Sequence, residues 1–480
     1  MTQIYPELKQ YIGGAWVHGA SATTRQVLNP ADETVIAHYH EADTADCDRA
    51  ITAAHDGFQT WRRMPLQERT AILLRCADLI RQRADDLAQI LTAEGGKRIV
   101  ESRREILRGA DFVEWDAHEA SRLYGRVMPS GSGNRQFTIR EPIGVVAALI
   151  AWNFPASFFS RKVGGALAAG CSVVLKASEE TPGTCVALAQ CFIDAGVPVG
   201  ALSLVLGDPQ MISEHLIRHP VVRAVSFTGS PQVGRIVAGL AAADVKPCVM
   251  ELGGHAPVIV CEDADLNRVV AAAVATKFAN NAGQVCMAPT RFLVQESRYE
   301  DFVEALTAQA KNIRVGVGTD PEAGMGPLIN QRRVDAIDAL VADAVQAGGR
   351  LTTGGHRLEG SGYFYAPTVI TDVPEHARVM REEPFGPLAL VTSFVELDDA
   401  IATANSLPYA LSAYAFTDSA RAAGRLAENV ECGVLSINHI GGMAPNAPFG
   451  GVKGSGYGKE GGTEGLQAFT TLKYVSHQWA

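Results

Sequence analysis

The feature that most constrains this chain is an alternation that begins near residue 142. Almost uncharged apolar runs at 143–151, 172–176, 202–206, 224–227 and 257–260 alternate with helical stretches at 162–169, 184–195, 210–219 and 233–243. A strand with no polar alternation is buried on both faces, and the helices between successive strands supply the two covering layers. The pattern predicts a parallel, doubly wound sheet in an α/β chain. A second α/β set follows, with strands at 291–294, 389–394 and 414–416 among helices at 265–280, 299–312, 334–347, 397–405 and 419–429. Ahead of both, 44–118 reads mainly as amphipathic helix, at 46–58, 66–83 and 85–94. The segments 137–140 and 469–475 are β-rich. A chain of 480 residues exceeds one ordinary core, so two or three domains are expected.

Charge and cysteine usage exclude several classes. The net charge of -10 argues against a nucleic-acid or anionic-membrane surface, because both need clustered Lys and Arg. The longest uncharged apolar stretch, 143–160, contains Trp152-Asn153-Phe154-Pro155 and reads as a buried strand with a turn, not a membrane span. The stretch 1–6 lacks a basic n-region and an apolar h-region, so no signal peptide is read there. The nine cysteines include no C-x-x-C pair. No disulfide framework and no metal site are expected, and a reducing cytoplasm is the natural compartment. The glycine-rich stretch 450–462 is interrupted by Lys, Tyr and Glu, which suggests a built loop.

Several short segments could carry chemistry. Gly283-Gln284-Val285-Cys286 ends an Ala-rich helix, and a glycine there permits a turn sharp enough to expose a thiol. Such a thiol needs a neighbouring base or another means of activation. Read alone, Cys286 is a buried structural cysteine beside a helix C-cap. Glu251, in an apolar setting before Gly253-Gly254, could have a raised pKa and act as a general base; read alone it is a capping or surface Glu. Asn153 follows the run 143–151, and strand carboxyl ends are where open α/β sheets bind ligands. Its amide could donate to an oxyanion, or simply sit in a proline-terminated turn.

Lys176 and Glu179 likewise follow a strand and could hold the hydroxyls of an adenosine ribose, where the carboxylate would repel a 2′-phosphate. Phe227-Thr228-Gly229-Ser230 is a glycine turn opening a helix, able to receive a pyrophosphate on backbone N–H groups. The G-x-G-x-x-G fingerprint is absent. Glu383 and Phe385 flank a rigid proline turn.

Together and in this order, the segments closely resemble the aldehyde dehydrogenase superfamily. The marks are W-N-F-P at 152–155, K-x-S-E at 176–179, F-T-G-S at 227–230, M-E-L-G-G at 250–254, G-Q-x-C at 283–286, E-x-F-G-P at 383–387 and P-F-G-G-x-K-x-S-G at 448–456. The likeness spans nearly the whole chain. It implies that Cys286 attacks an aldehyde to give a thiohemiacetal, that Asn153 and the Cys286 backbone N–H form the oxyanion hole, and that Glu251 activates water against the resulting thioester. Lys162 and Glu460 match positions that help relay the proton.

The resemblance implies NAD as cofactor, with NADP possible. Lys176 and Glu179 would hold the adenosine ribose, Gly229 and Ser230 the pyrophosphate, and Glu383 and Phe385 the nicotinamide ribose. Trp152 would wall the cleft, and Ile150, Ser178, Gly207, Phe227, Val233 and Leu252 complete the implied contacts. The implied architecture is a Rossmann-like cofactor domain (1–121 and 143–250), an α/β catalytic domain (251–446) and a β-ribbon (122–142 and 467–480) that joins a neighbouring subunit in a homodimer or homotetramer.

Met250–Val260 and 288–294 are especially similar to bacterial α-ketoglutaric semialdehyde dehydrogenases, with succinic semialdehyde dehydrogenases next. By that likeness Arg161 would pair with a substrate carboxylate. The usual second arginine, six residues before the nucleophile, is Asn280 here, and His439 could replace it. A hydroxyaldehyde or aromatic aldehyde is the alternative substrate, and acyl transfer to coenzyme A the alternative fate of the thioester. A non-catalytic structural oligomer is the alternative of another class.

Overall fold

The structure is a computed structural model that describes residues 5–479. Residues 1–4 of the N-terminal stretch and residue 480 of the expected ribbon lie outside them. The first sheet has eight strands in the order Ala15–Val17, Gln10–Ile12, Leu202–Val205, Ser172–Lys176, Val145–Leu149, Val222–Gly229, Cys248–Leu252, Gly456–Tyr457. The run from Leu202–Val205 to Cys248–Leu252 is parallel throughout. Val145–Leu149 comes first in the chain among these and lies in the middle. The chain winds outward from it on one side, then returns to start Val222–Gly229 on the other. That reversal opens a crevice beyond the carboxyl ends of these two strands.

The apolar strands are buried on both faces, as their unbroken runs imply. Val146, Ala148 and Ile150 enter one core with Leu175 and Phe159, while Val145, Ala147 and Leu149 enter another with Val225 and Phe227. Successive side chains of one strand therefore serve two cores. The second sheet has the order Arg350–Thr353, Thr368–Thr371, Leu388–Phe394, Pro289–Gln295, Ala256–Val260, Ser412–Phe416, Val434–Ile437, with only the first strand antiparallel.

Two expected helices are broken at positions that matter for the site. The one expected at 162–169 begins earlier, at Pro155, whose ring fits the first helical turn. A π-turn at Ser160–Gly164 interrupts it and buries Arg161 and Lys162. The one expected at 265–280 is regular only over Leu266–Ala273 and ends in a π-turn, Val274–Phe278. Single π-turns inside helices recur at functional sites. The strands Arg350–Thr353, Thr368–Thr371 and Val434–Ile437 were not expected from sequence. Each is four residues long, too short for a period to show.

Thr470–Gln478 pairs antiparallel with Asn134–Pro142 along its whole length, and Val127–Met128 adds a short third strand. Leu472 and Tyr474 on this ribbon are more than half exposed. The glycine-rich stretch is a built loop: Gly456–Tyr457 pairs with Cys248–Leu252, and Val452–Lys453 with Tyr409–Ala410.

Candidate active site

Cys286 follows a tightly wound turn. Asn281, Ala282 and Gly283 all have positive φ, at 50°, 51° and 73°. A Cβ on Gly283 would lie 2.3 Å from the Gly386 carbonyl oxygen, so only glycine fits where this loop crosses the 383–386 segment. Gln284, fully buried, fastens the loop: its amide donates to the Asn281 carbonyl at 3.0 Å, and its carbonyl oxygen accepts from the Ile329 N–H at 2.9 Å. Cys286 itself is half-buried.

A cavity of about 390 Å³ brings together Cys286, Glu251, Asn153, Trp152, Glu383 and Phe385. Glu251 reaches it from the strand Cys248–Leu252, beside Thr228. Neither of its carboxylate oxygens has a hydrogen-bond partner among the described residues. Gly450 leaves room for it, since a Cβ there would stand 2.5 Å from the Glu251 carboxylate. Burial, reinforced by the nearby Glu460 charge, holds the Glu251 carboxyl well above the usual range. Burial also pushes the Cys286 thiol far up, with the Glu383 and Glu251 charges acting in the same direction.

Asn153 is held from three sides. Its Nδ2 donates to the Gln284 carbonyl at 3.0 Å, which leaves its second amide N–H to meet a developing oxyanion. Its own carbonyl accepts from Lys97 Nζ at 2.7 Å and from Asn281 Nδ2 at 3.1 Å. Lys97, almost fully buried, also pairs with Glu105 at 2.5 Å and sits 3.9 Å from the centre of the Phe154 ring. Sequence reasoning missed Lys97 and Glu105, which lie in a helical region with no local signature.

Lys162 and Glu460 form a fully buried ion pair, and Ser226, which the sequence reading also missed, bridges them, with its Oγ 3.1 Å from Lys162 Nζ and 3.3 Å from Glu460 Oε1. Breaking a buried pair on one side leaves a bare charge, which is strongly destabilising.

A neighbouring cavity of about 490 Å³ shares Trp152, Thr228, Gly229 and Ser230 with the first. Ile150, Lys176, Ser178, Glu179, Phe227 and Val233 also line it. Gly207 and Leu252 lie outside both linings; Leu252 instead packs behind Gly234. Ser230 caps the helix Pro231–Ala243, taking the Val233 N–H on its side chain, so that the helix begins at the cavity wall and places its positive end there. Lys176 Nζ lies 2.8 Å from Glu179 Oε2. Burial raises the Glu179 carboxyl, but the Lys176 charge and hydrogen bond outweigh this, and the net position is below the usual range. Phe385, with φ 43°, meets Trp152 edge-on at 5.6 Å. Thr228 Oγ1 is buried in the same cleft without a partner among the described residues. Two adjoining cavities that share the start of a helix, with the Lys176–Glu179 pair in one and Cys286 in the other, fit a nicotinamide dinucleotide.

The three residues expected to meet substrate separate. Asn280 lines a further cavity of about 480 Å³, to which Val285 and Met287, the neighbours of Cys286, also contribute. Arg161 lies outside that lining. The π-turn directs its guanidinium inward, 3.8 Å from the Phe112 ring and close to Asp116 and Glu460. His439 is exposed, with Nδ1 bonded back to the Ile437 carbonyl at 3.0 Å, and is likewise outside the lining.

The aldehyde dehydrogenase family model matches residues 16–475. The chain is 46% identical over 473 residues to 4-(hydroxymethyl)benzenesulfonate dehydrogenase TsaD1 of Comamonas testosteroni, covering 98% of each chain. It is 41% identical over 471 residues to 3-sulfolactaldehyde dehydrogenase of Pseudomonas putida, covering 98% of this chain and 97% of that one. The crystal structure of succinate-semialdehyde dehydrogenase from Burkholderia pseudomallei superposes with a TM-score of 0.97 at 40% identity, covering 100% of this chain and 99% of the other. The chain belongs to the aldehyde dehydrogenase family. Its reaction is the oxidation of an aldehyde to a carboxylic acid with a nicotinamide dinucleotide.

Proposed function

We propose that this chain is a hydrolytic, cysteine-dependent dehydrogenase for semialdehydes, with NAD as the preferred acceptor. The observation that carries the reading is the shared cavity of Cys286, Glu251 and Asn153 at the end of the dinucleotide cleft. In the first half-reaction the Cys286 thiol releases its proton to water as its sulfur bonds to the aldehyde carbon. The carbonyl oxygen takes the electron pair and is held by the free Asn153 N–H and the Cys286 backbone N–H. The dinucleotide, when bound, supplies the hydride acceptor. Loss of hydride leaves a thioester on Cys286. In the second half-reaction Glu251 takes a proton from water, the oxygen bonds to the acyl carbon, and the Cys286 sulfur departs. The buried Lys162–Glu460 pair lies next to Glu251 and suits a route for the proton onward.

Lys176, Ser178 and Glu179 would hold the adenosine ribose, with Gly229 and Ser230 at the pyrophosphate and Glu383 and Phe385 at the nicotinamide ribose. The charged Glu179 supports NAD over NADP. Replacing Glu179 by Ala should raise the NADP-to-NAD ratio of kcat/KM by about 10-fold or more, the scale of one well-placed charge. Steady-state rates with both dinucleotides check this, and an unchanged ratio contradicts the assignment.

The domain reading (1–121 with 143–250, 251–446, and a ribbon of 122–142 with 467–480) is supported by the sheets. The outer edge of Thr470–Gln478 is unpaired among the described residues and carries exposed Leu472 and Tyr474, which suits β-sheet addition between subunits of a homodimer or homotetramer. Leu472→Asp with Tyr474→Asp should shift the sedimentation coefficient to that of a monomer; an unchanged oligomer would place the interface elsewhere. Nine free cysteines suit a cytoplasmic setting.

The relatives' names carry a sulfonate or a semialdehyde, which supports an aldehyde with a second, anionic group. A panel of aldehydes with each dinucleotide tests the reading. Turnover of semialdehydes with NAD is expected, and oxidation appearing only with added coenzyme A would overturn the hydrolytic assignment.

A further inference from the structure

The cavity beside Cys286 has an unusual charge balance. The helix Ile99–Glu119 turns one face toward it, presenting Glu101, Arg104, Glu105 and Arg108 at three- and four-residue spacing. Both carboxylates are already engaged. Glu101 pairs with Arg98 and accepts the Asn281 N–H at 2.9 Å. Glu105 pairs with Lys97 and accepts the Ala156 N–H at 2.9 Å, at the start of the helix that follows Asn153. Neither Arg104 nor Arg108 has an ion pair or a side-chain hydrogen bond among the described residues. Arg108 is half-buried, one turn from the like charge of Arg104. Partial burial and the like charge of Arg104 both weigh against the Arg108 guanidinium, and the charges of Glu105 and Asp111 offset only part of this. A ligand anion would relieve both. The same cavity is lined by the apolar or aromatic Phe154, Met287, Tyr414 and Ile440, with Ser157, Thr276 and Asn280 as its uncharged polar side chains.

We propose that Arg104 and Arg108 form the subsite for a sulfonate or carboxylate carried at the far end of the aldehyde, across an apolar or aromatic spacer. The inference rests on the aldehyde-oxidation reading above and reassigns the anion contact that sequence reasoning placed on Arg161 and His439. The guanidinium fork matches both oxyanions by paired N–H···O bonds. The half-buried Arg108 carries the larger share, and the exposed Arg104 adds charge at the rim.

The test is kcat/KM for benzaldehyde, 4-carboxybenzaldehyde and 4-sulfobenzaldehyde, with the full-length wild type, Arg108→Gln and the double variant Arg104→Gln/Arg108→Gln. The wild type should favour both anionic aldehydes over benzaldehyde by about 10- to 100-fold, the scale of charge-assisted hydrogen bonds. In the double variant that preference should vanish, with the loss confined to the anionic aldehydes and carried by KM while kcat stays within about 2-fold. An equal loss for benzaldehyde would mark the arginines as merely structural and overturn the proposal. Undiminished selectivity in the double variant would overturn it too. A wild type that oxidises benzaldehyde as well as its anionic analogues sinks the subsite alone. A wild type that oxidises none of the three but turns over succinic semialdehyde sinks the subsite alone, and one that oxidises neither the benzaldehydes nor any semialdehyde sinks the substrate reading with it.

Discussion

Cys286→Ala should reduce no dinucleotide with any aldehyde, a loss of at least about 10⁴-fold in kcat, the scale seen when a covalent nucleophile is removed. Three features of the structure lead to this. The sulfur is the only thiol among the described residues lining the cavity that also holds Asn153 and Glu251. The turn that presents it is specified by positive φ at three successive residues and by Gln284 fastening, none of which depends on the thiol. The variant should therefore fold and bind dinucleotide normally, and the loss falls on chemistry. Stopped-flow absorbance of the reduced cofactor checks this. Residual turnover within about 100-fold of wild type would mean that the reaction does not pass through a bond to this sulfur.

Glu251→Gln should separate the two halves of the reaction. Bond formation and hydride loss do not require water, so one equivalent of reduced cofactor per active site should appear as a burst. Hydrolysis does require a base, and steady-state turnover should fall by about 10²- to 10⁴-fold, the usual worth of general base catalysis. The same carboxyl sets the pH dependence. Burial and Glu460 raise its pKa, so at low pH it is protonated and cannot accept a proton from water. Hydrolysis should therefore be absent well below the raised pKa and rise to a plateau above it. In wild type that limb should lie well above the ordinary Glu range, and in Glu251→Gln it should disappear. A rate limited by hydrolysis yet flat across the acid range would contradict the assignment.

Much of this arrangement was legible in the chain because the chemistry demands residue types. A lone Cys after Gly-Gln, a Glu before Gly-Gly and an Asn at a strand end are readable because each needs a particular backbone neighbourhood, and all three meet in one cavity. The doubly wound sheet was legible because strands buried on both faces leave unbroken apolar runs. Lys97, Glu105 and Ser226 were not. Their importance comes from contacts 56, 51 and 234 positions away in the chain, which no local pattern records.

Arg161 and His439 show the opposite limit. A motif position does not by itself fix where a side chain points: Arg161, in a π-turn with no sequence signature, lies over Phe112 and donates to the carbonyl of Ala444, a residue lining the Asn280 cavity. Arg104 and Arg108 were invisible for a related reason. Among the charges of an amphipathic helix they look like any solvated face, and only the engagement of Glu101 and Glu105 elsewhere leaves them without an ion pair among the described residues.

The most direct measurement is intact-protein and peptide mass spectrometry of Glu251→Gln mixed with an aldehyde and NAD. An acyl mass added once per chain, on the peptide containing Cys286, is the predicted result. Reduced cofactor formed while Cys286 stays unmodified, or the acyl group found on another of the nine cysteines, would contradict the account.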